Sequence, residues 1–357
     1  MRVGLMQGRV SAEAFMLVGE DIISKKKRNT KSDMIRRRRF QSNFGTAPEI
    51  CSNIWARIMF TRRKHIPFSN PAPKHLLWAL HLMKTYGTED CLASNCGADE
   101  RTFRRWAWIF IEEIARLSRV EVSDQKSSNS LQLSDQKLSI VFFRLQIDWE
   151  NRKKYDNGSF AKITVDGTDF RVPLYGGAAN FKKYKSHKFN GPGLRYEVAI
   201  AIQTGEIVHV NGPFACGKHQ DIAIFRKKLK KKMRLGYELA EADKGYRGEP
   251  LLIELPDMDG GAGAAQITAK NKARGRHETC NKRFKQWNCL SNRFRHSEKC
   301  HGLVFHAIVA LTQIDIRSGN PLYQVDYKTI LTPLRKKNLR SIRKLLRQQQ
   351  GEGNGRV

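Results

Sequence analysis

The feature that most constrains the fold is a change of texture partway along the chain. From about residue 47 to 118 apolar residues recur at helix spacing, and from about residue 160 they fall in short runs of the strand type. Between them, 119–146 is polar: Ser123-Asp124-Gln125-Lys126 recurs as Ser134-Asp135-Gln136-Lys137 around Ser127-Ser128-Asn129-Ser130. This stretch reads as a linker or inserted loop, and its near-repeat is too short to be a structural unit. A chain of 357 residues, 40% hydrophobic, has room for two such parts, each with its own core. The expected plan is a basic, disordered arm at 1–46, a helical region at 47–118, the linker, an α/β domain at 147–327 and a basic tail at 328–357.

In the helical region, Leu76, Leu77, Leu80 and Met83 lie on one face of a helix beginning near Pro73. A short helix follows from a Thr88 cap to Gly97, then a longer one from Asp99 to Leu117. Helix, glycine turn and Arg-rich helix make a helix-turn-helix outline whose second helix would enter the major groove by its N-terminal end. Arg101, Arg104 and Arg105 are its candidate DNA contacts. Helix pairs joined by a glycine turn are also ordinary in any α domain.

Beyond the linker, strands are expected at 162–172, 194–203 and 206–214, the last two joined by a hairpin turn at Gln203-Thr204-Gly205-Glu206. A helix is expected over 219–234, then a strand ending at Asp243, a Gly260–Gly263 loop, a strand at 265–269, and helices over 273–290 and 299–317. This order is that of an α/β ribonuclease-H-like catalytic domain, a mixed sheet flanked by helices, preceded by an all-α helix-turn-helix-like domain.

Three acids stand out in that order. Asp166 lies in the apolar run Ile163–Phe170, Asp243 closes the run Tyr237–Ala242, and Glu278 opens an amphipathic segment. Two strands and a helix supplying one carboxylate each can gather hard cations such as Mg²⁺, which take oxygen ligands and keep several waters. Two such ions can activate a water and stabilise a leaving oxygen in phosphodiester cleavage. By strand alternation Asp166 and Thr168 share a face and Asp169 points the other way. Asp166 is therefore the expected ligand and Asp169 a hydrogen-bonding or solvent residue. Taken singly, Asp243 is as well placed to cap a turn, and Glu278 to pair with Lys282 one helical turn on.

Charge points to the partner. Sixty-five basic against 34 acidic residues give a net +31, which holds a chain on a polyanion by counterion release. No stretch approaches the roughly 20 apolar residues of a spanning helix, so duplex DNA is the expected polyanion and a membrane is not. Lys230, Lys231 and Lys232 lie in a run with seven basic residues in nine, and Arg274, Arg276, Lys282 and Lys285 flank Glu278 as phosphate contacts. Lys25-Lys26-Lys27-Arg28 and Arg36–Arg39 read as a nuclear import signal or a DNA-gripping arm. The segment 335–347 has no acid, and its Leu339, Ile342, Leu345 and Leu346 fit an amphipathic helix formed on binding. Seven cysteines without a close pair suit a reducing compartment. Cys289, His296, Cys300, His301 and His306 match no standard zinc spacing.

Three blocks together resemble the DDE superfamily endonucleases, transposase-derived proteins close to the PIF/Harbinger group: Val165-Asp166-Gly167-Thr168, Ala242–Gly248 and Arg276–Gln286. Phe294-Arg295-His296-Ser297, Gly319-Asn320-Pro321-Leu322 and the helical part from Lys74-His75-Leu76-Leu77-Trp78 to Phe103-Arg104-Arg105-Trp106 also fit. The resemblance spans roughly 38–118 and 147–327, and leaves 119–143 as an extra segment. It implies Asp166, Asp243 and Glu278 as a catalytic triad holding Mg²⁺ or Mn²⁺, two ions in all. It further implies DNA hydrolysis at element ends (terminal inverted repeats), strand transfer through a 3′-hydroxyl and a nuclear location. A Myb-like DNA-binding partner and a homo-oligomer belong to the same expectation. The rival functions are a non-catalytic DNA-binding protein that has kept the fold, and an RNA-directed nuclease.

Overall fold

The first helices are α1 (Ala12–Ile23), α2 (Asp33–Phe44), α3 (Pro48–Thr61), α4 (Pro73–Thr85), α5 (Glu89–Asn95) and α6 (Glu100–Arg116). There follow β1 (Ala161–Arg171), α7 (Phe181–Tyr184), β2 (Lys185–Ser186), β3 (Gly191–Ala201) and β4 (Ile207–Ala215). Next come α8 (Asp221–Lys227), α9 (Leu229–Lys232), β5 (Leu239–Glu241), β6 (Ile253–Glu254), α10 (Ala264–Lys285), α11 (Asn288–Ser291), α12 (Glu298–Arg317) and α13 (Pro333–Gly353). This is a computed structural model, and it describes residues 10–23, 32–61, 66, 70–118, 147–255, 264–328, 331 and 333–353. The expected linker 119–146, the Lys25–Arg28 run and the Gly260–Gly263 loop lie outside these. Among the described residues no helix is long and apolar enough to cross a membrane.

The chain divides into two compact units: 1–147 with 283–320, and 148–282 with 321–357. In the first, Thr88 caps α5 by accepting from Cys91 N, and Asp99 caps α6 by accepting from Thr102 N, as the sequence leads one to expect. Phe103, Ala107, Phe110, Ile111 and Ile114 form the buried stripe of α6, which packs on α4 and α12. Trp55 stacks on Phe110 at 5.8 Å, and His75 on Trp106 at 3.9 Å. The arm expected at 1–46 is in part α1 and α2. Phe15, Phe40 and Phe44 are buried there, and the charges turn outward, with Arg36 meeting Glu20 and Glu13. In α2 the two buried phenylalanines stand among four arginines and are a sparse signal, while α1 is mainly apolar. The segment 283–320, expected in the α/β domain, instead belongs with these helices. Its helix α12 is buried along most of its length and needs cover on several sides, which other helices supply.

The second unit holds a mixed sheet flanked by helices. Strand β3 pairs antiparallel with β1, β4 and β2, while β5 lies parallel to both β1 and β6. The β3–β4 turn closes through Gly205, whose φ of +71° suits glycine. One face buries Ile163, Val165, Ala199, Ala201 and Val208 under Phe225, Leu229 and Met233. A second cluster joins Ala161, Ile202 and Leu239 to Ala273, Tyr327 and Leu339. Full burial of each large aliphatic or aromatic side chain contributes about 1.5–3 kcal/mol.

Two expected elements differ. The strand expected at 265–269 is the first part of α10, which extends to Lys285 instead of running over 273–290. Short apolar runs fit either period, and here alanine content and the fourth-residue pairing of Ala269 with Ala273 favour helix. The helix expected over 219–234 is split at Lys228 (φ −133°, ψ −55°) into α8 and α9. The expected tail carries α13, held by Leu339 in the core and by Arg343 donating to Gly236 O at 2.7 Å.

Candidate active site

Parallel pairing brings the first two acids together. Thr164 of β1 pairs with Glu241 of β5, so Asp166, in mid-strand and paired with Val198 of β3, and Asp243, just past the end of β5, each lie two residues beyond that pair. Asp166 is half-buried and its Oδ1 accepts from Gly167 N at 2.7 Å. Asp243 is exposed and caps the 3-10 turn Lys244–Tyr246, its Oδ1 accepting from Gly245 N at 2.9 Å. The capping role that any single aspartate could play is thus present in Asp243.

Alternation along β1 holds as expected: Asp169 turns away from Asp166 and into hydrogen bonds. It accepts from Arg195 Nε at 2.7 Å and Ser186 Oγ at 2.6 Å. Burial pushes its carboxyl up, but the bonds from Arg195 and Ser186 outweigh this and hold it below the usual range.

Helix α10, which carries the third acid, is tied to β1 through His277. His277 is buried, with Nε2 at 2.8 Å from Thr164 Oγ1. Burial lowers its pKa, while the charges of Asp166 and Asp243 pull the other way. Glu278 follows it on α10, exposed, and adds to burial in raising the Tyr323 phenol. Among the described residues no three His, Cys, Asp or Glu side chains converge closely enough to hold an ion. Asp166 and Asp243 both act on His277 and Asp221, whereas Glu278 faces Tyr323, so the three acids do not form a closed ligand set.

Three residues here are not singled out by the sequence: His277, Asp221 and Glu197. Asp221 opens α8, and its carboxylate lies against two glycines. A Cβ at Gly167 would come within 2.5 Å of Oδ1, and one at Gly245 within 2.9 Å of Oδ2. Arg195 Nη1 donates to Asp221 at 3.0 Å, and Lys188 Nζ donates to Gly167 O at 2.6 Å. Burial raises the Asp221 carboxyl, Arg195 and Lys188 oppose this, and Asp243 and Asp166 add to it. Glu197, the cross-strand partner of Gly167, is fully buried, and burial lifts it to about 8. An acid within the apolar run Leu194–Ile200 is the sequence signal that marks Glu197. Asp221 carries none, because an acid opening a helix is commonplace.

The expected phosphate contacts divide. Arg276 is buried, not a surface cation: it donates to Ile202 O at 2.5 Å and Tyr323 O at 2.9 Å, and burial lowers it to about 10. It ties α10 to the end of β3 and cannot reach DNA from there. Lys230 donates to Glu249 at 3.0 Å, and Lys232 Nζ lies 3.4 Å from His209 Nδ1. Lys231, Lys282 and Lys285 are exposed, and Arg274 is half-buried and donates to Asn271 at 2.6 Å. On α6, Arg101, Arg104 and Arg105 are all exposed, with Arg104 held by Glu89 and Glu100.

Comparison with protein-family models, with curated proteins and with solved structures finds no match for this chain.

Proposed function

We propose that this protein is a metal-dependent DNA endonuclease of the transposase type, built on a ribonuclease-H-like sheet. The observation that carries the reading is the parallel register of β1 and β5, which sets Asp166 and Asp243 on adjacent strands, each two residues beyond the Thr164–Glu241 pair. The helix α10, bearing Glu278, is bonded to β1 through His277 and Thr164. The strand arrangement, antiparallel on one side of β1 and parallel on the other, supports the fold assignment. The +31 charge supports DNA as substrate.

The donor set here is carboxylate oxygen, the chemistry that suits Mg²⁺ or Mn²⁺. Asp166, Asp243 and Glu278 would hold the ion or ions. Bound there, such ions lower the pKa of a water and offset charge on the leaving oxygen. The protein's own groups do the rest. His277 pins α10 to β1 and so fixes where Glu278 stands. Arg195 bridges Asp169 and Asp221, holding the Asp221 carboxylate against Gly167. Lys188, Lys282 and Arg274 supply positive charge for the DNA backbone. On this reading α5 and α6 form a helix-turn-helix that presents Arg101 and Arg105 to DNA. The protein would work in the nucleus on terminal inverted repeats, with a Myb-like partner and as a homo-oligomer.

One observation favours a second reading, a non-catalytic DNA-binding protein: the three carboxylates do not close to ligand distance. Nicking of duplex DNA carrying inverted repeats, with and without Mg²⁺, separates the two. Cleavage by the parent and none by Asp166→Asn upholds the nuclease. Salt-sensitive binding without cleavage by either protein sinks it in favour of the second reading.

A further inference from the structure

Close to Asp221, the sheet encloses a set of buried polar atoms that have no hydrogen-bond partner among the described residues. They are both carboxyl oxygens of Glu197, His209 Nε2, Asn211 Nδ2 and the Tyr246 hydroxyl. The four residues are 0%, 3%, 2% and 1% exposed, so bulk solvent does not satisfy them. They also neighbour one another. Glu197 and Asn211 are cross-strand partners on β3 and β4, which puts both side chains on the same face. His209, two residues along β4, shares that face and brings Nε2 to 3.8 Å from Glu197 Oε2, too far for a direct hydrogen bond. Tyr246 comes from the turn that Asp243 caps and is buried in one cluster with Val165 and Ala199, on the sheet face that also carries Glu197.

Buried polar atoms are almost always matched, and a cluster of unmatched ones calls for an occupant. An apolar occupant would match none of them. Glu197, which burial keeps protonated, offers a donor and an acceptor, the Asn211 amide and Tyr246 hydroxyl offer donors, and His209, whose Nδ1 faces the Lys232 ammonium, offers its Nε2–H. Water, both donor and acceptor, is complementary to that mixture, and buried waters typically make about three such bonds. A cation would face the amide protons of Asn211.

We propose that Glu197, His209, Asn211 and Tyr246 enclose an internal water site next to Asp221, and that a Glu197–water–Tyr246 link fixes the turn carrying Asp243. Glu197 and Tyr246 are then positioning residues, acting on the cation site through the Lys244–Tyr246 turn. The water site stands on the buried atoms alone; its effect on cation binding rests on the nuclease reading above.

The test uses the full chain, Mn²⁺ alone as probe, and the variants Tyr246→Phe, Glu197→Gln and the pair. Mn²⁺ affinity, measured by electron paramagnetic resonance, should fall about 10- to 100-fold in each single variant, as for supporting groups behind metal ligands. The double variant should be no weaker than the worse single one, because both cut the same link. A crystal structure of the parent should show water bonded to Glu197 and to the Tyr246 hydroxyl. Multiplying losses in the double variant, or unchanged Mn²⁺ affinity in both singles, would overturn the positioning role. An empty space or a metal ion among the four side chains would overturn the water site. A parent whose Mn²⁺ binding equals that of Asp166→Asn sinks the cation-binding reading instead. The water site is then judged by the crystal and by coupling of the two substitutions in thermal unfolding. Should Tyr246→Phe fail to fold, the isosteric Glu197→Gln carries the measurement.

Discussion

Glu238, Glu241 and Glu254 lie beside or within β5 and β6, and each meets a cation or a donor. Glu238 pairs with Arg152 at 2.8 Å, Glu254 with Lys270 at 3.2 Å and also with Arg335, and Glu241 accepts from Tyr327 with Lys270 at 3.9 Å. Asp166, Asp221 and Asp243 gather where β5 ends beside the middle of β1, and there acids crowd one another. Asp221 has Arg195 on one side, yet its carboxyl is raised by burial, with Asp243 and Asp166 adding to the rise. The buried trio is matched because an unmatched charge inside would not survive folding. The other trio sits where solvent or a ligand can take up the excess charge, which is the pattern of a functional site. One sheet thus carries both kinds of carboxylate, and position within it separates them.

Substitutions at each cluster should break the contrast in opposite ways. Asp166→Asn or Asp243→Asn is expected to lower DNA cleavage by at least about 10²–10³-fold, the scale of losing one preorganised electrostatic group. The thermal unfolding midpoint should not fall; a fall matching the activity loss would make these acids structural. Arg152→Met leaves Glu238 buried and unpaired, and should destabilise by about 3–5 kcal/mol in denaturant titration. A near-neutral result would mean that water reaches Glu238.

Arg276→Met tests the corrected role of that residue. Its loss strands two backbone carbonyls, and a cost of about 1–3 kcal/mol is expected, with the salt dependence of DNA binding unchanged. A flatter salt dependence at full stability would restore Arg276 as a phosphate contact.

The pH dependence of stability sharpens the comparison further. Burial lifts Glu197 from an ordinary 4.5 to about 8, so the folded protein keeps a proton that the unfolded chain releases. That contribution is complete below the unfolded value and is lost as pH climbs through the folded one. Below about pH 6.5 the buried neutral histidines His75, His209 and His301 push stability the other way, so the decline of the unfolding midpoint should appear from about pH 6.5 to about pH 8, and Glu197→Gln should flatten it. Glu241, lifted to about 7, supplies the slope that remains. An equal slope in parent and variant would show Glu197 to be charged. The smallest effect belongs to the surface: Lys231→Gln should reduce the salt slope of DNA binding by about 0.9, and no change would remove α9 from the interface.

Much of the second unit is legible in the chain. Period-2 runs locate β1, β3 and β4 within a few residues, and Gly205 marks their turn. Asp166 and Asp243 can be singled out because each is an acid in or closing an apolar run. Helix α2 is hard to read because Phe40 and Phe44 stand among four arginines, whereas α1 carries a plain apolar run, Phe15–Val18, that the expectation of a disordered arm passes over. The basic run around Glu278 hides a different limit. Arg276 and Lys282 look alike as letters, yet one is buried against β3 and the other is exposed. Helix faces are assigned by what packs against them, and α10 offers a weak apolar stripe for reading that in advance.

By itself the sequence determined the local periods, the caps at Thr88 and Asp99, and the surplus of positive charge, since these depend on residues within a turn or two. Only the tertiary structure decided that Asp221 approaches Asp166 and Asp243, that His277 pins α10 to β1, and that Glu197, His209, Asn211 and Tyr246 are buried with unpartnered polar atoms. It also decided that 283–320 joins the N-terminal helices. Each of these joins residues far apart in the chain, and strand pairing and burial, which depend on the whole unit, choose among the many partners that local preference leaves open.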